Sequence, residues 1–199
     1  MLAMPISVSA WQATLALLLF TCLASFGWAM RRFFLQPAGT TAGMKLITGC
    51  GLLFAALHFA AILLPNNITM ERGLFGALLY FLSLSLFWWA IRANSAARLS
   101  AAFSPDVPIH LVKDGPYRFI RHPFYCSYVL AWSAGTIATA KWWLIPTLAV
   151  MAGIYWRAAS SEEEKFSRSS LAGEYERYRA RTALLVPNPM KLLLARRSQ

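Results

Sequence analysis

Apolar residues along this chain gather in long runs joined by short polar connections, and four of the runs approach the length that a bilayer core demands. The first covers residues 11–30, with Trp11 and Trp28 placed as interface anchors, and Arg31 and Arg32 stop it. A second covers roughly 46–64 and ends at the turn signal Pro65-Asn66-Asn67. A third covers 73–91 and ends in Trp88-Trp89 and Arg92. The polar connection that follows carries Pro105, Pro108 and Gly115-Pro116, which argue against one continuous helix. A fourth run starts near Phe124 and reaches Ala140, and Lys141 alone separates it from a fifth that begins at Trp142, so these two predict a tight helical hairpin. Residues 142–156 are short for a hydrocarbon core of about 30 Å at about 1.5 Å per residue. The fifth helix is therefore expected to continue past Arg157. That continuation carries Arg157, Glu162, Glu163 and Glu164 out on the face from which the fourth run entered. Residues 171–181 read as a surface helix with Tyr175 and Tyr178 on one side.

Composition sharpens this picture. With 58% hydrophobic and 14% charged residues in 199, the chain is too apolar for an ordinary soluble domain, and its polar connections are too short to fold separately. The expected architecture is all-α, a single membrane domain over residues 1–199 with about five transmembrane helices. The net charge of +11 has no basic arm or recognition motif to make it a nucleic-acid signal. It is read as topology: all of the 19 Lys and Arg residues except Arg72 and Lys141 fall to one side of a five-span arrangement. The positive-inside rule then puts the N-terminus outside and the C-terminus in the cytoplasm, in what is expected to be a bacterial inner membrane. The first run has no basic region before it and no cleavage site after it, so it is expected to be retained. Cys22, Cys50 and Cys126 are scattered and no Cys or His pair has ligand spacing, so neither a disulfide nor a metal is expected.

The candidate chemistry lies in residues 115–127, a polar and aromatic block between apolar runs. Tyr117, Arg118, Arg121, His122 and Tyr125 fall within nine residues, and Pro116 and Pro123 keep a helix from running through them. A donor-rich loop at the edge of a low-dielectric slab suits a polar cofactor, because each polar contact there is stronger than in water.

Gly115-Pro116-Tyr117-Arg118, Arg121-His122-Pro123-x-Tyr125, the stretch from Arg157 to Glu162-Glu163-Glu164, Tyr175-x-x-Tyr178 and Pro187 together resemble the isoprenylcysteine carboxyl methyltransferase and phospholipid methyltransferase superfamily. The likeness covers about residues 110–190, the half expected to bind S-adenosylmethionine at the cytoplasmic face, whereas residues 1–98 resemble the family only in number and hydrophobicity of spans and are expected to vary. Two positions depart from the pattern. Ser127 stands where the family has glycine, and Thr182-Ala183-Leu184 stands where the prenylcysteine branch often has Val-Pro-Arg.

The resemblance implies methyl transfer from S-adenosylmethionine to a lipophilic acceptor that enters from the bilayer, either a prenylcysteine-like carboxylate or a phospholipid amine. Tyr117, Arg118, Arg121, His122, Pro123, Tyr125, Glu162 and Glu163 are the candidate cofactor-binding residues; Arg157, Glu162 and Glu163 are the candidate catalytic ones. Arg121 is suited to the cofactor carboxylate, and His122 to a hydrogen bond through one ring nitrogen. Glu162 or Glu163 accepts from ribose hydroxyls or ammonium, Tyr125 stacks on adenine or faces the sulfonium, and Arg157 is left for an anionic substrate group. Arg118 is divided between this site and topology. Arg31, Arg32, Arg92, Arg98, Arg196 and Arg197 are assigned to topology, His58 to a neutral bond with a facing helix, and Gly49-Cys50-Gly51 to helix packing. Two rivals share the scaffold: a nicotinamide-dependent lipid or sterol reductase with a similar Arg-His-Pro-x-Tyr block, and a membrane accessory protein without turnover. The stretch Gly173-Glu174-Tyr175-Glu176-Arg177-Tyr178 is closer to the methyltransferases.

Overall fold

The computed structural model describes residues 9–34, 41–64, 66–94, 103 and 108–187; Pro65, Arg98, Pro105, Arg196 and Arg197 lie outside them. Among the described residues the protein is all helix, with one isolated β-bridge. Its helices are α1 (Ala10–Arg32), α2 (Ala42–Leu63), α3 (Met70–Ala93), α4 (Pro123–Thr139), α5 (Ile145–Ser167) and α6 (Ala172–Arg181), with short 3₁₀ turns at Gly115–Arg118 and Trp142–Leu144. Hydroxyl residues start the first three. Ser9 forms a reciprocal capping box with Gln12, Thr41 accepts from the Met44 N–H and Thr69 from that of Arg72. Prolines start the next two, Pro123 in α4 and Pro146 in α5, where a missing N–H costs nothing.

The first three helices are each long and apolar enough to cross a membrane. The last two long helices form the expected hairpin. α4 has 17 residues, and α5 has 23 because it does run past Arg157, carrying the glutamates beyond its apolar part. α3 and α4 make the most extensive pairing, α1 lies on α3, and α2 touches α1, α4 and α5. Close approach needs small residues at the crossings. A Cβ on Gly135 would fall 2.6 Å from His58 Cδ2 and 3.0 Å from the Tyr80 hydroxyl.

Two of the polar side chains inside the bundle, His58 and Ser83, reach backbone carbonyls of a facing helix. His58 Nδ1 lies 2.9 Å from its own helix's Phe54 carbonyl and Nε2 lies 3.3 Å from the Trp132 carbonyl of α4, the cross-helix bond expected of it. Ser127, the departure from the family glycine, is fully buried; its hydroxyl donates to the Phe124 carbonyl at 2.7 Å while Ser83 of α3 donates to its backbone oxygen at 2.7 Å. The expectation for Gly49 and Gly51 needs correction. Both sit in α2 with nothing within 4 Å of where a Cβ would be, so neither is a packing contact, and Gly51 instead borders the cavity described below.

Gly135→Val is expected to force α2 and α3 away from α4 and to destabilise the bundle by about 1–3 kcal/mol, read as a lowered thermal midpoint in detergent.

Candidate active site

The site is assembled where α3 ends, α4 begins and α5 leaves its apolar part. Asn94 caps α3 and donates through Nδ2 to the Tyr117 hydroxyl at 2.9 Å, and Tyr178 of α6 donates to the Tyr117 carbonyl at 2.8 Å. Gly115 lets the chain turn into this anchor with φ +59°. From there residues 119–122 run beside residues 183–184, joined by one isolated bridge between Ile120 and Ala183. Arg121 N–H donates to the Ala183 carbonyl at 2.8 Å, His122 N–H to the Leu184 carbonyl at 3.2 Å, and Ala183 N–H to the Phe119 carbonyl at 3.3 Å. Pro123 then begins α4, so Arg121 and His122 are held with their side chains toward the end of α5.

The two segments singled out in the sequence meet there. Arg121 Nε donates to Glu163 Oε1 at 2.6 Å and its Nη1 to the Thr182 carbonyl at 2.5 Å. His122 lies between the glutamates, with Nδ1 3.5 Å from Glu162 Oε2 and Nε2 3.4 Å from Glu163 Oε1. The second contact is not aligned for a hydrogen bond, which leaves Nε2 buried without a partner. The Tyr125 hydroxyl donates to Glu162, and its ring stacks between His122 (centroids 5.6 Å, 22°) and Tyr155 (5.7 Å, 14°).

Burial alone would push the Glu163 pKa up, but the adjoining His122, the hydrogen bond from Arg121 and the charges of both outweigh it and hold it at about 2. Burial likewise opposes a proton on His122, and the two carboxylates beside it overcome that and raise its pKa above its ordinary value. The cluster is thus a nearly closed set of charges in which Glu163 is the common partner, since Arg179 Nε also lies 3.6 Å from its Oε2.

One cavity of about 620 Å³ opens from this cluster. Arg121, His122, Glu162, Tyr125, Tyr175 and Tyr178 line its polar end. Toward the bundle its walls are apolar, among them Leu23 and Phe26 of α1 and Ile47 and Leu52 of α2. The size is that of a small-molecule or cofactor pocket.

Of the residues expected from the sequence, Tyr117, Arg121, His122, Pro123, Tyr125 and Glu162 line the cavity. Glu163 stands behind them as the ion-pair partner. Two are not brought in. Arg118 is exposed and pairs with Asp114 at 3.3 Å, because the 3₁₀ turn points it away from α5. Arg157 is exposed on α5 and does not line the cavity, because positions 158 and 159 hold the buried face of that turn. Arg121, assigned to a ligand carboxylate, spends its Nε and Nη1 on the protein itself. Sequence reasoning placed Tyr175 on a surface helix; it is 2% exposed, stacks on Phe166 at 4.7 Å and 9°, and leaves its buried hydroxyl unpartnered at the cavity. The signal for it was the i, i+3 spacing of two tyrosines in an otherwise charged helix.

A comparison with protein families matches residues 72–172 to the phospholipid methyltransferase family, from within α3 to the first residue of α6. No curated protein matches the chain.

Two outcomes are expected. Glu163→Gln leaves the Arg121 guanidinium unpaired and costs about 3 kcal/mol of stability, read by thermal unfolding. The pH profile has two limbs. Glu163, with its pKa lowered from 4.5 to about 2, stabilises above pH 4.5 and loses that contribution as pH falls toward 2. His122, with its pKa raised from 6.5, stabilises fully below that value and loses its contribution as pH rises through the raised value, so His122→Gln flattens the alkaline limb and, because His122 also helps to lower Glu163, weakens the acid limb without abolishing what Arg121 contributes to it.

Proposed function

We propose, from the premise that the chain belongs to the phospholipid methyltransferase family, that it transfers a methyl group from S-adenosylmethionine to a lipophilic acceptor. The observation that carries this is the continuity of one cavity from a charged, tyrosine-rich end into an apolar arm between α1 and α2. A polar cofactor and a lipid tail need those two environments side by side.

The residues present fit the cofactor. Two buried polar atoms without partners, His122 Nε2 and the Tyr175 hydroxyl, offer hydrogen bonds at the polar end, and Glu162 offers an acceptor for hydroxyl or ammonium groups. The Tyr155 and Tyr175 rings, each with a single stacking partner, line the cavity and offer aromatic surface to a heteroaromatic ring or a sulfonium. When bound, S-adenosylmethionine supplies an electrophilic methyl on a positively charged sulfur. The protein's part is alignment and exclusion of water, which dominate in a displacement of this kind. Glu163 holds Arg121 and His122 in place, and the apolar arm keeps the acceptor's surroundings dry.

An amine is the acceptor these residues favour. Glu162, hydrogen-bonded by Tyr125, stands in the cavity where an amine must lose a proton to become nucleophilic. A carboxylate acceptor would want a cation instead; Arg157, expected to supply one, faces away from the cavity and Arg121 is committed to Glu163, which leaves that role to Lys165 at the cavity wall. Charge placement supports the cytoplasmic face for the site, since the basic residues cluster at the ends of α1, α3 and α5 and at the start of α2.

Calorimetric titration of the solubilised protein with S-adenosylhomocysteine, beside the reduced nicotinamide dinucleotide phosphate, tests the reading. Binding of the former alone is expected; binding of the dinucleotide alone would replace it with the reductase, and binding of neither by a folded sample would leave the accessory protein. Gly51→Leu places a side chain into open space at the apolar arm, so it is expected to raise KM for the lipid acceptor severalfold with S-adenosylhomocysteine affinity unchanged.

A further inference from the structure

A second cavity, of about 700 Å³, lies on the other side of Tyr178. Its walls come from the stretch before and within the first 3₁₀ turn, which supplies Lys113, Asp114 and Arg118, and from α6, which supplies Glu174, Arg177 and Arg181. None of the site chemistry above uses it. Four cations face two carboxylates, and each carboxylate is committed: Glu174 pairs with Lys113, and Asp114 with Arg118. The groove therefore keeps a surplus of two positive charges, carried by Arg177 and Arg181, one helical turn apart on α6. Two guanidinium groups at that spacing suit a phosphate, whose oxygens accept paired N–H groups from each.

The surroundings indicate where the phosphate comes from. Phe119 follows Arg118 directly, is 39% exposed, and lies 6.1 Å, centroid to centroid, from Trp89, which is 45% exposed near the end of the membrane-crossing helix α3. An exposed Trp and Phe at the end of a span mark the headgroup level of a bilayer, where aromatic rings settle. A soluble phosphate ligand would gain nothing from that pair, whereas a phospholipid would place its headgroup in the groove and its glycerol backbone beside the rings. We propose that this groove binds the phosphate headgroup of an anionic phospholipid as a site separate from the methyl-transfer cavity. Tyr178, which lines both cavities and donates to the Tyr117 carbonyl, is the wall between them. The inference rests on the membrane setting of the chain and not on its reaction.

The test uses the full chain in nanodiscs made from phosphatidylcholine alone or with phosphatidylglycerol added. Native mass spectrometry of protein released from the mixed discs is expected to show phosphatidylglycerol retained about tenfold above its share of the lipid, and thermal unfolding to be shifted upward in those discs. Both effects are expected to disappear in the Arg177→Gln/Arg181→Gln double variant and to persist in part in the double lysine variant. Equal retention by the wild type and the glutamine variant would overturn the proposal. So would an upward shift in detergent with inorganic phosphate that matches the shift in mixed discs, since that would make the ligand a free anion. Should the glutamine variant fail to fold, the wild type alone decides: its retention of phosphatidylglycerol must fall as salt is raised, and retention indifferent to salt would refute an arginine–phosphate contact.

Discussion

Everything at the membrane-edge end of this protein depends on one desolvated carboxylate. Glu163 accepts from Arg121, sits 3.4 Å from a His122 ring nitrogen and 3.6 Å from Arg179, and so ties the loop before α4, the end of α5 and α6 to a single point. A charge so placed is costly alone and tolerable only when surrounded. That requirement is structural before it is functional. It obliges the chain to bring together segments more than forty residues apart, and in doing so it leaves the neighbouring Glu162, Tyr125 and Tyr175 facing open space.

Because the bundle's helices must satisfy their own backbone in lipid, the only places where irregular chain is affordable are the ends of the spans. The cavity beside Arg121 and His122 occupies such a place. Residues 115–122 are irregular because Gly115, Pro116 and Pro123 forbid a helix, and they are tolerated because Asn94, Tyr178 and residues 183–184 take up their backbone groups. The same arrangement makes the cavity two-ended, with polar walls from the irregular segment and apolar ones from the helices that continue into the bilayer.

Much of this was legible in the sequence. Length and hydropathy place the five long helices to within a few residues, and the shortness of the fifth apolar run correctly requires α5 to carry Glu162 and Glu163 to Arg121 and His122. Side-chain direction was not legible. Arg118 and Arg157 are the right residue types in the right segments, yet one turn of 3₁₀ geometry and one of α-helix aim them outward. Gly49 and Gly51 illustrate the same limit, since a small residue in a membrane helix is equally compatible with a close neighbour and with a cavity wall. The burial of Tyr175 was hidden by the polar residues around it in α6.

The three backbone hydrogen bonds that join residues 119–122 to residues 183–184 carry a consequence for how the protein is made. Partners some sixty residues apart cannot pair until the later stretch has left the ribosome. The helical hairpin of α4 and α5 can form before then, but Arg121 and His122 acquire their final setting only once residues 183–184 have emerged. Completion of the cavity's polar end is therefore timed by synthesis of the stretch after α6 and not by formation of the α4–α5 hairpin, and a chain halted after α5 would be helical but would lack the backbone partners that fix Arg121 and His122.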